Sequence, residues 1–347
     1  MIDFRYHLVS IVAVFLALAL GIVVGAAALR PDVASKLTSE TQRAAAKNAQ
    51  LYAQNAQLGK QISADNAFAQ ADSGYLLDHL LQNERVVLVL APGADGTMVT
   101  GVTAALKQAG ATVTGQVSLQ PQFFDTGATT EQALTNLAST QAPPGVTLPG
   151  PAAGAQIPGQ QAAAQVIAAA IMSKNGQSVV TATEGQRILN GFGAQGFLQV
   201  AGPGGGPALS GQAALAVVVM PNTIPPVSTD GSANLALVSL TQYLDQAGNG
   251  ALLAGSIQGS GTGSAIDAVT SGAAGVSLTT VDNADTEPGQ IMVAQALSQL
   301  LDPHATPTAY GVGPGTVPSP APSTSPGPTP SSSPSPSQSP TKKTVKK

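Results

Sequence analysis

The chain has no cysteine and no tryptophan, and only 9% of its residues are charged. Without cysteine there are no disulfides, no thiolate metal sites and no thiol redox chemistry, and the compartment stays open. Aromatics make up 3% of the chain, so any core must be assembled from Ala, Val and Leu rather than from large rings. The three histidines, His7, His79 and His304, stand far apart in sequence. No Lys or Arg occurs between Arg187 and Lys342, whereas Asp230, Asp245, Asp267, Asp282, Asp285, Glu287 and Asp302 do, which predicts an acidic surface there. The net charge of −4, without basic residues interleaved among aromatics, gives no affinity for nucleic acid.

What is present begins with one long hydrophobic run. After a short N-terminal tail, residues 1–7, the stretch Leu8–Leu29 carries no charge until Arg30. As a helix it would span about 33 Å, close to the ~30 Å hydrocarbon core of a bilayer. A helix satisfies its own backbone groups in lipid, so the run reads as a transmembrane helix in contact with membrane lipid. Ala26–Ala28 also offers a small-residue cleavage site, but the run exceeds the ~7–15 residues of a signal-peptide core, which favours an uncleaved signal-anchor. Arg30, Lys36, Arg43 and Lys47 follow the helix and Arg5 precedes it. Read literally, the positive-inside rule puts the bulk of the chain in the cytoplasm, although long domains can translocate against it.

Residues 31–84 read as a stalk that Pro31 and Asp32 separate from the membrane. Leu37, Ala44, Leu51 and Leu58 recur every seven residues, and Thr41, Asn48, Asn55 and Ile62 lie four residues after them. Such a row predicts a coiled coil, and polar Asn within it specifies register, most often in parallel dimers. A homodimer is the expected partner arrangement. The competing reading is a single amphipathic helix lying on its own globular domain.

Residues 85–302 alternate between two periodicities. Arg85–Ala91 is a short apolar run stopped by Pro92–Gly93, Thr97–Ala109 is helical and closed by Gly110, and Ala111–Val117 is a second strand. The pattern continues through helices Gln160–Ser173, Glu184–Asn190, Leu235–Ala247, Ser264–Ser271 and Glu287–Leu301. Strands are expected at Ala214–Met220, Ala251–Ala254 and Gly275–Val281. This is the signature of a three-layer α/β domain with a mostly parallel sheet, interrupted by a low-complexity insertion at residues 142–159.

A search for chemistry returns little. Gly191-Phe192-Gly193-Ala194-Gln195-Gly196 fits the dinucleotide fingerprint by letter, but it follows a helix and precedes the apolar run Phe197–Val200, the reverse of the required context. Ala91–Gly96 lies between strand and helix yet lacks the lysine of a phosphate-binding loop. Ser256 and Ser260 lack the flanking glycines of a nucleophile elbow, and neither His79 nor His304 is placed to serve as a base, so no catalytic site is expected. Asp282, Asp285 and Glu287 are weak candidates for a hard cation; the simpler reading has Asp285 or Thr286 capping the last helix. Met98, Met172, Met220 and Met292 are scattered and read as core residues rather than metal ligands. No cofactor is expected from the residues.

Residues 303–347 form the tail: from Pro303 to Pro340 it is mostly Pro, Ser, Thr and Gly with almost nothing apolar, and it ends in Lys342, Lys343, Lys346 and Lys347. It predicts an unstructured, partly polyproline tail of a type common outside the cytoplasmic membrane.

The opening Met1-Ile2-Asp3-Phe4-Arg5-Tyr6-His7-Leu8-Val9-Ser10, the hydrophobic span and stalk behind it, and Val281-Asp282-Asn283-Ala284-Asp285-Thr286 before the last helix carry a resemblance. Over residues 1–302 the chain resembles the mycobacterial copper transport protein B family, whose corynebacterial relatives are described as cell-separation proteins. The resemblance implies a single-span protein whose coiled coil and α/β domain lie outside the cytoplasm, in the cell envelope. It implies a role in copper transport and homeostasis, with copper entering by resemblance alone. It also implies a membrane or cell-division partner and an influence on peptidoglycan hydrolases, with no catalytic or metal-ligating residues to carry over.

Overall fold

A computed structural model describes residues 4–148, 158–222 and 232–320. It divides into two compact units, Met1–Ala67 and Phe68–Lys347. The first element is α1, a helix of 74 residues from Phe4 to Leu77. Its Ala-rich composition favours helix throughout, and hydroxyls such as Thr41 and Ser63 bond to carbonyls one turn back, Leu37 O and Gly59 O, at 2.7 and 2.9 Å. The expected interruption at Pro31 is absent, since the helix runs through it. Proline there removes one N–H from the ladder, a loss that a long run of good helix formers on both sides outweighs.

The second unit takes in residues earlier than the Arg85 boundary drawn from sequence. The last turns of α1 already belong to it, with Ala69 and Leu77 buried beside Leu81. Next come β1 (Arg85–Leu90), α2 (Gly96–Gln108), β2 (Thr112–Leu119), α3 (Ala128–Gln141), α4 (Pro158–Ile171), α5 (Ala182–Ala194) and β3 (Leu198–Ala201). They are followed by β4 (Leu215–Val219), α6 (Ser232–Ala247), β5 (Gly250–Ala254), α7 (Ala265–Thr270), β6 (Thr279–Val281), α8 (Glu287–Leu300) and β7 (Ala309–Tyr310). The strands form one sheet in the order β3-β2-β1-β4-β5-β6-β7. Every pairing is parallel except that of β2 with β3.

The three-layer expectation holds. Along β1, Val87 and Val89 enter one cluster with Leu134 of α3, Ile167 of α4, Ile188 of α5 and Leu240 of α6. Val86 and Leu88 point to the other face and pack with Leu77, Val102 and Leu106 of α2, and Val293 of α8. Both faces are covered, which is why β1, β4 and β5 read as unbroken apolar runs rather than as alternation.

Three elements escape the sequence reading. Helix α3 buries only Leu134 and Ala138, too few for a clear period. Strand β3 lies at an edge and pairs Val117 with Val200 and Leu119 with Leu198. Strand β7 corrects the tail: residues 303–320 are not free of the domain, because Thr280 pairs with Ala309 and Val281 with Tyr310. Tyr310 supplies the missing burial, since it is 6% exposed and its hydroxyl donates to Gln299 Oε1 at 2.6 Å. The strand expected over Gly275–Val281 shortens to Thr279–Val281. Residues 149–157 of the insertion and 321–347 of the tail, with its lysines, lie outside the described residues.

Candidate functional site

In a doubly wound sheet, ligands enter where neighbouring strands lead off in opposite directions, here beyond the carboxyl ends of β1 and β4. In this protein the two loops at that point bond to each other. Ala91 N donates to Val219 O at 2.9 Å and Asn222 N to Gly93 O at 3.1 Å, and Ala94 forms a bridge with Pro221. Asp95 caps α2, accepting from Thr97 N at 2.7 Å and Met98 N at 3.1 Å. The backbone N–H of Met98, then that of Thr97, hold its carboxyl below the usual range. Ser256, in the loop after β5, is fully buried; its hydroxyl donates to Asn222 O at 3.2 Å and accepts from Gly259 N at 3.0 Å. These loops spend their polar groups on one another.

The acidic segment after β6 does the same. Asp282 is 4% exposed and accepts from Val312 N at 2.8 Å and Gly313 N at 2.7 Å, holding the chain beyond β7 against β6. Gly311 sits at φ +137°, and a Cβ there would fall on the Asp282 carboxylate, so the clamp requires glycine. Asp285 accepts from Ile257 N at 3.3 Å, tying this loop to the one after β5. Thr286 is the cap of α8, accepting from Gly289 N at 3.2 Å, and Glu287 lies in the first turn. Among the described residues no group of three His, Asp or Glu side chains gathers as a metal site. Met98, Met172, Met220 and Met292 are all buried, two in each hydrophobic cluster. His79 is exposed 3.3 Å from the Asp78 carboxylate, and His304 is exposed in the segment after α8. The fingerprint glycines Gly191 and Gly193 lie within α5, as the reverse context requires.

A cleft of about 390 Å³ opens at the opposite end of the strands, by the amino end of β5 and the ends of α4, α6 and α8, and sequence reasoning missed it. Lys174, Asn175, Asp245, Asn249 and Asp302 line it. Lys174 Nζ donates to Gln246 O at 3.2 Å, and Asn175 N to Asn249 Oδ1 at 2.9 Å. Asp245 accepts from Ala251 N at 3.0 Å; burial pushes its carboxyl upward, opposed by that N–H and by the Lys174 charge. The only signal in sequence is Asn175-Gly176, whose positive φ values form the tight turn that carries Lys174.

On α1 the residues of the heptad row are Leu37, Ala44, Asn48, Leu51, Asn55, Leu58 and Ile62, and all are exposed. Leu37, Leu51, Leu58 and Ile62 keep 64, 47, 55 and 52% of their surfaces open. Toward the N-terminus, Tyr6–Ala27 is long and apolar enough to cross a membrane, and none of it is buried.

Together these features define a class: a membrane protein with one N-terminal apolar helix, carrying a mostly parallel α/β domain whose loops bind chiefly to each other. Comparison with known proteins gives the particular family. The chain belongs to the family described as copper transport outer membrane protein, MctB, whose model matches residues 1–320. It is 32% identical over 321 residues to the copper transporter MctB of Mycobacterium leprae (strain TN), covering 90% of this chain and 97% of that one. Against the copper transporter MctB of Mycobacterium tuberculosis (strain ATCC 25618 / H37Rv) it is 36% identical over 126 residues, 36% of this chain and 40% of that one. The family match takes in the clamped segment around Tyr310, which a boundary at residue 302 leaves out.

Proposed function

We propose that this chain is a non-enzymatic, membrane-anchored envelope protein that supports copper homeostasis through protein contacts, as a parallel homodimer with its bulk outside the cytoplasm. The copper assignment rests on the family and on the names of the relatives. The contact mechanism rests on one observation: the heptad row of α1 is exposed, with Leu37, Leu51, Leu58 and Ile62 keeping 64, 47, 55 and 52% of their surfaces open. Polar Asn48 and Asn55 within that row favour a defined two-stranded register over indiscriminate association. One apolar helix cannot line a pore, and copper(I) favours sulfur ligands, which this domain keeps in its core.

The test is a deletion strain complemented with the wild-type chain or with Leu51→Asp/Leu58→Asp. Copper accumulation and lost copper tolerance in the deletion, unrescued by the seam variant, support the reading. Full rescue by the seam variant sinks the contact mechanism. The buried sulfurs also favour a second reading, a scaffold for cell separation acting with a membrane partner. That reading expects chained cells with normal copper content in the same strain. For topology, Ser323→Cys in this thiol-free chain should label in whole cells with a membrane-impermeant maleimide. Labelling only after lysis would place the bulk inside.

A further inference from the structure

Four basic side chains, Arg85, Lys107, Lys174 and Arg187, serve residues 68 to 320. Arg85 donates to the carbonyls of Gln212 and Ser210, and Arg187 donates to Gln141 Oε1. Lys174 is placed instead in the cleft at the amino end of β5, which Asp245 and Asp302 also line. Its ammonium carries three donors, and among the described residues one is used, on Gln246 O at 3.2 Å. Among the described residues it forms an ion pair with neither carboxylate, although its charge opposes the rise that burial causes at Asp245. The cleft thus keeps opposite charges apart. Its walls are fixed: Ser173 N donates to Ala213 O at 2.8 Å, Asn249 N to Ala214 O at 2.7 Å, and Asn175 N to Asn249 Oδ1 at 2.9 Å. On the far wall His304 N donates to Asp302 Oδ1 at 2.9 Å, and Ala305 N to Asp302 O at 2.9 Å.

We propose that this cleft binds a small zwitterion of dipeptide size, with its carboxylate on Lys174, its ammonium on Asp245 and Asp302, and its side chain against Leu300, Leu301 and Pro307. Volume argues for a small molecule over a lone ion. The cleft's 390 Å³ falls in the range of about 300–1,000 Å³ that holds small organic ligands, whereas one water takes about 30 Å³. Charge selects within that range. A ligand with only a carboxylate meets two like charges, and one with only an ammonium meets Lys174. A molecule carrying both, set apart by a peptide unit, finds an opposite charge for each. The leucines and the proline add an apolar side that takes up a hydrocarbon side chain. Because the walls are already held by their own hydrogen bonds, binding loses little to ordering. The proposal is independent of pairing along α1.

The probe is glycyl-leucine, compared with its N-acetylated and its C-amidated forms, each of which lacks one charge. Saturation-transfer difference NMR on the detergent-solubilised full chain reads binding in the millimolar range. The absence of native cysteine locates it: Pro307→Cys, on an exposed wall residue, is labelled with a maleimide, and Val179→Cys serves as an exposed control outside the cleft. The expected result is saturable transfer to glycyl-leucine and slowed labelling at position 307 but not at 179. Either blocked form should bind at least about tenfold more weakly, as should glycyl-leucine to Lys174→Met or Asp245→Asn, since each loses one charged hydrogen-bond partner. Melting temperatures of both variants check that they remain folded. No transfer and no protection at millimolar glycyl-leucine overturns the proposal. Equal binding of the blocked forms overturns the zwitterion, and undiminished binding to both folded variants overturns the site.

Discussion

Replacing Asp282 by alanine tests how the segment beyond β7 is held. The carboxylate is buried and accepts two backbone N–H bonds, from Val312 and Gly313, at 2.8 and 2.7 Å. Hydrogen bonds to a charged acceptor are worth about 1.5–3 kcal/mol each, so the gross loss is about 3–6 kcal/mol. Part of it is recovered because the released loop can bond to water, which leaves about 2–4 kcal/mol. For a domain of this size that lowers the melting temperature by roughly 5–12 °C. Thermal melts of the detergent-solubilised full chain read the stability, and chymotrypsin reads the loop. Tyr310 is 6% exposed in the folded domain, so cleavage after it requires the strap to open. Asp282→Ala should speed that cut at temperatures where the remainder stays folded. Asp282→Asn, which keeps one acceptor and turns an amide N–H toward a backbone N–H, should fall between alanine and wild type. A melt within 1 °C of wild type and unchanged cleavage would refute the clamp.

Three further outcomes are expected. Burial raises the carboxyl of Asp245, so its ionised form costs stability above the raised value, and that cost fades as pH falls toward the ordinary carboxylate range. Asp245→Asn should therefore stabilise the protein at pH 7, by less than about 1 kcal/mol given solvent screening and the Lys174 charge, with no gain near pH 3; a loss at pH 7 contradicts this. Gly289→Ala places a Cβ on the backbone of Asn283 at the start of α8 and should cost more than about 3 kcal/mol in a denaturant midpoint; a wild-type midpoint rules the contact out. Asn48→Ile with Asn55→Ile should strengthen association while admitting trimers, read by analytical ultracentrifugation in detergent; a strictly dimeric, unstrengthened variant speaks against the seam.

The sheet was largely legible because strands buried on both faces leave runs such as Val86–Leu90 and Leu215–Val219, which resemble nothing else at that length. Helix caps were legible where side-chain chemistry fixes them, as at Thr286. The strap was not. A Pro/Ser/Thr-rich composition dominates residues 303–320, and the order there comes from one ring and one distant carboxylate, Tyr310 and Asp282, whose meeting depends on the finished sheet. The cleft was illegible for the same reason: Lys174 and Asp245 are brought together by the ends of separate helices. The boundary at Arg85 was drawn late because Ala69, Ser73 and Leu77 belong to a helix whose earlier residues carry the heptad row, and Ala69 stands seven residues after Ile62, so the period gives no sign of where burial begins.

The family name and the residues pull in different directions over copper, and burial gives that tension a scale. Met172 and Met220 lie in one hydrophobic layer of the domain, Met98 and Met292 in the other, and the sheet separates the two pairs. Exposing one of these side chains to a soft cation empties a core position, which in packed interiors costs about 2–5 kcal/mol. Gathering ligands from both layers would dismantle the fold. The carboxylates offer no easier route, since Asp282 and Asp285 already accept backbone N–H groups that bind the loops after β5, β6 and β7 together. On the reading proposed above, a role in copper homeostasis is exerted on another molecule, through exposed surfaces such as the row from Leu37 to Ile62 on α1. Copper(I) added to the purified full chain should accordingly leave its melting temperature unchanged. A copper-dependent rise of several degrees would show that the metal finds ligands in this chain and would return direct transport to consideration.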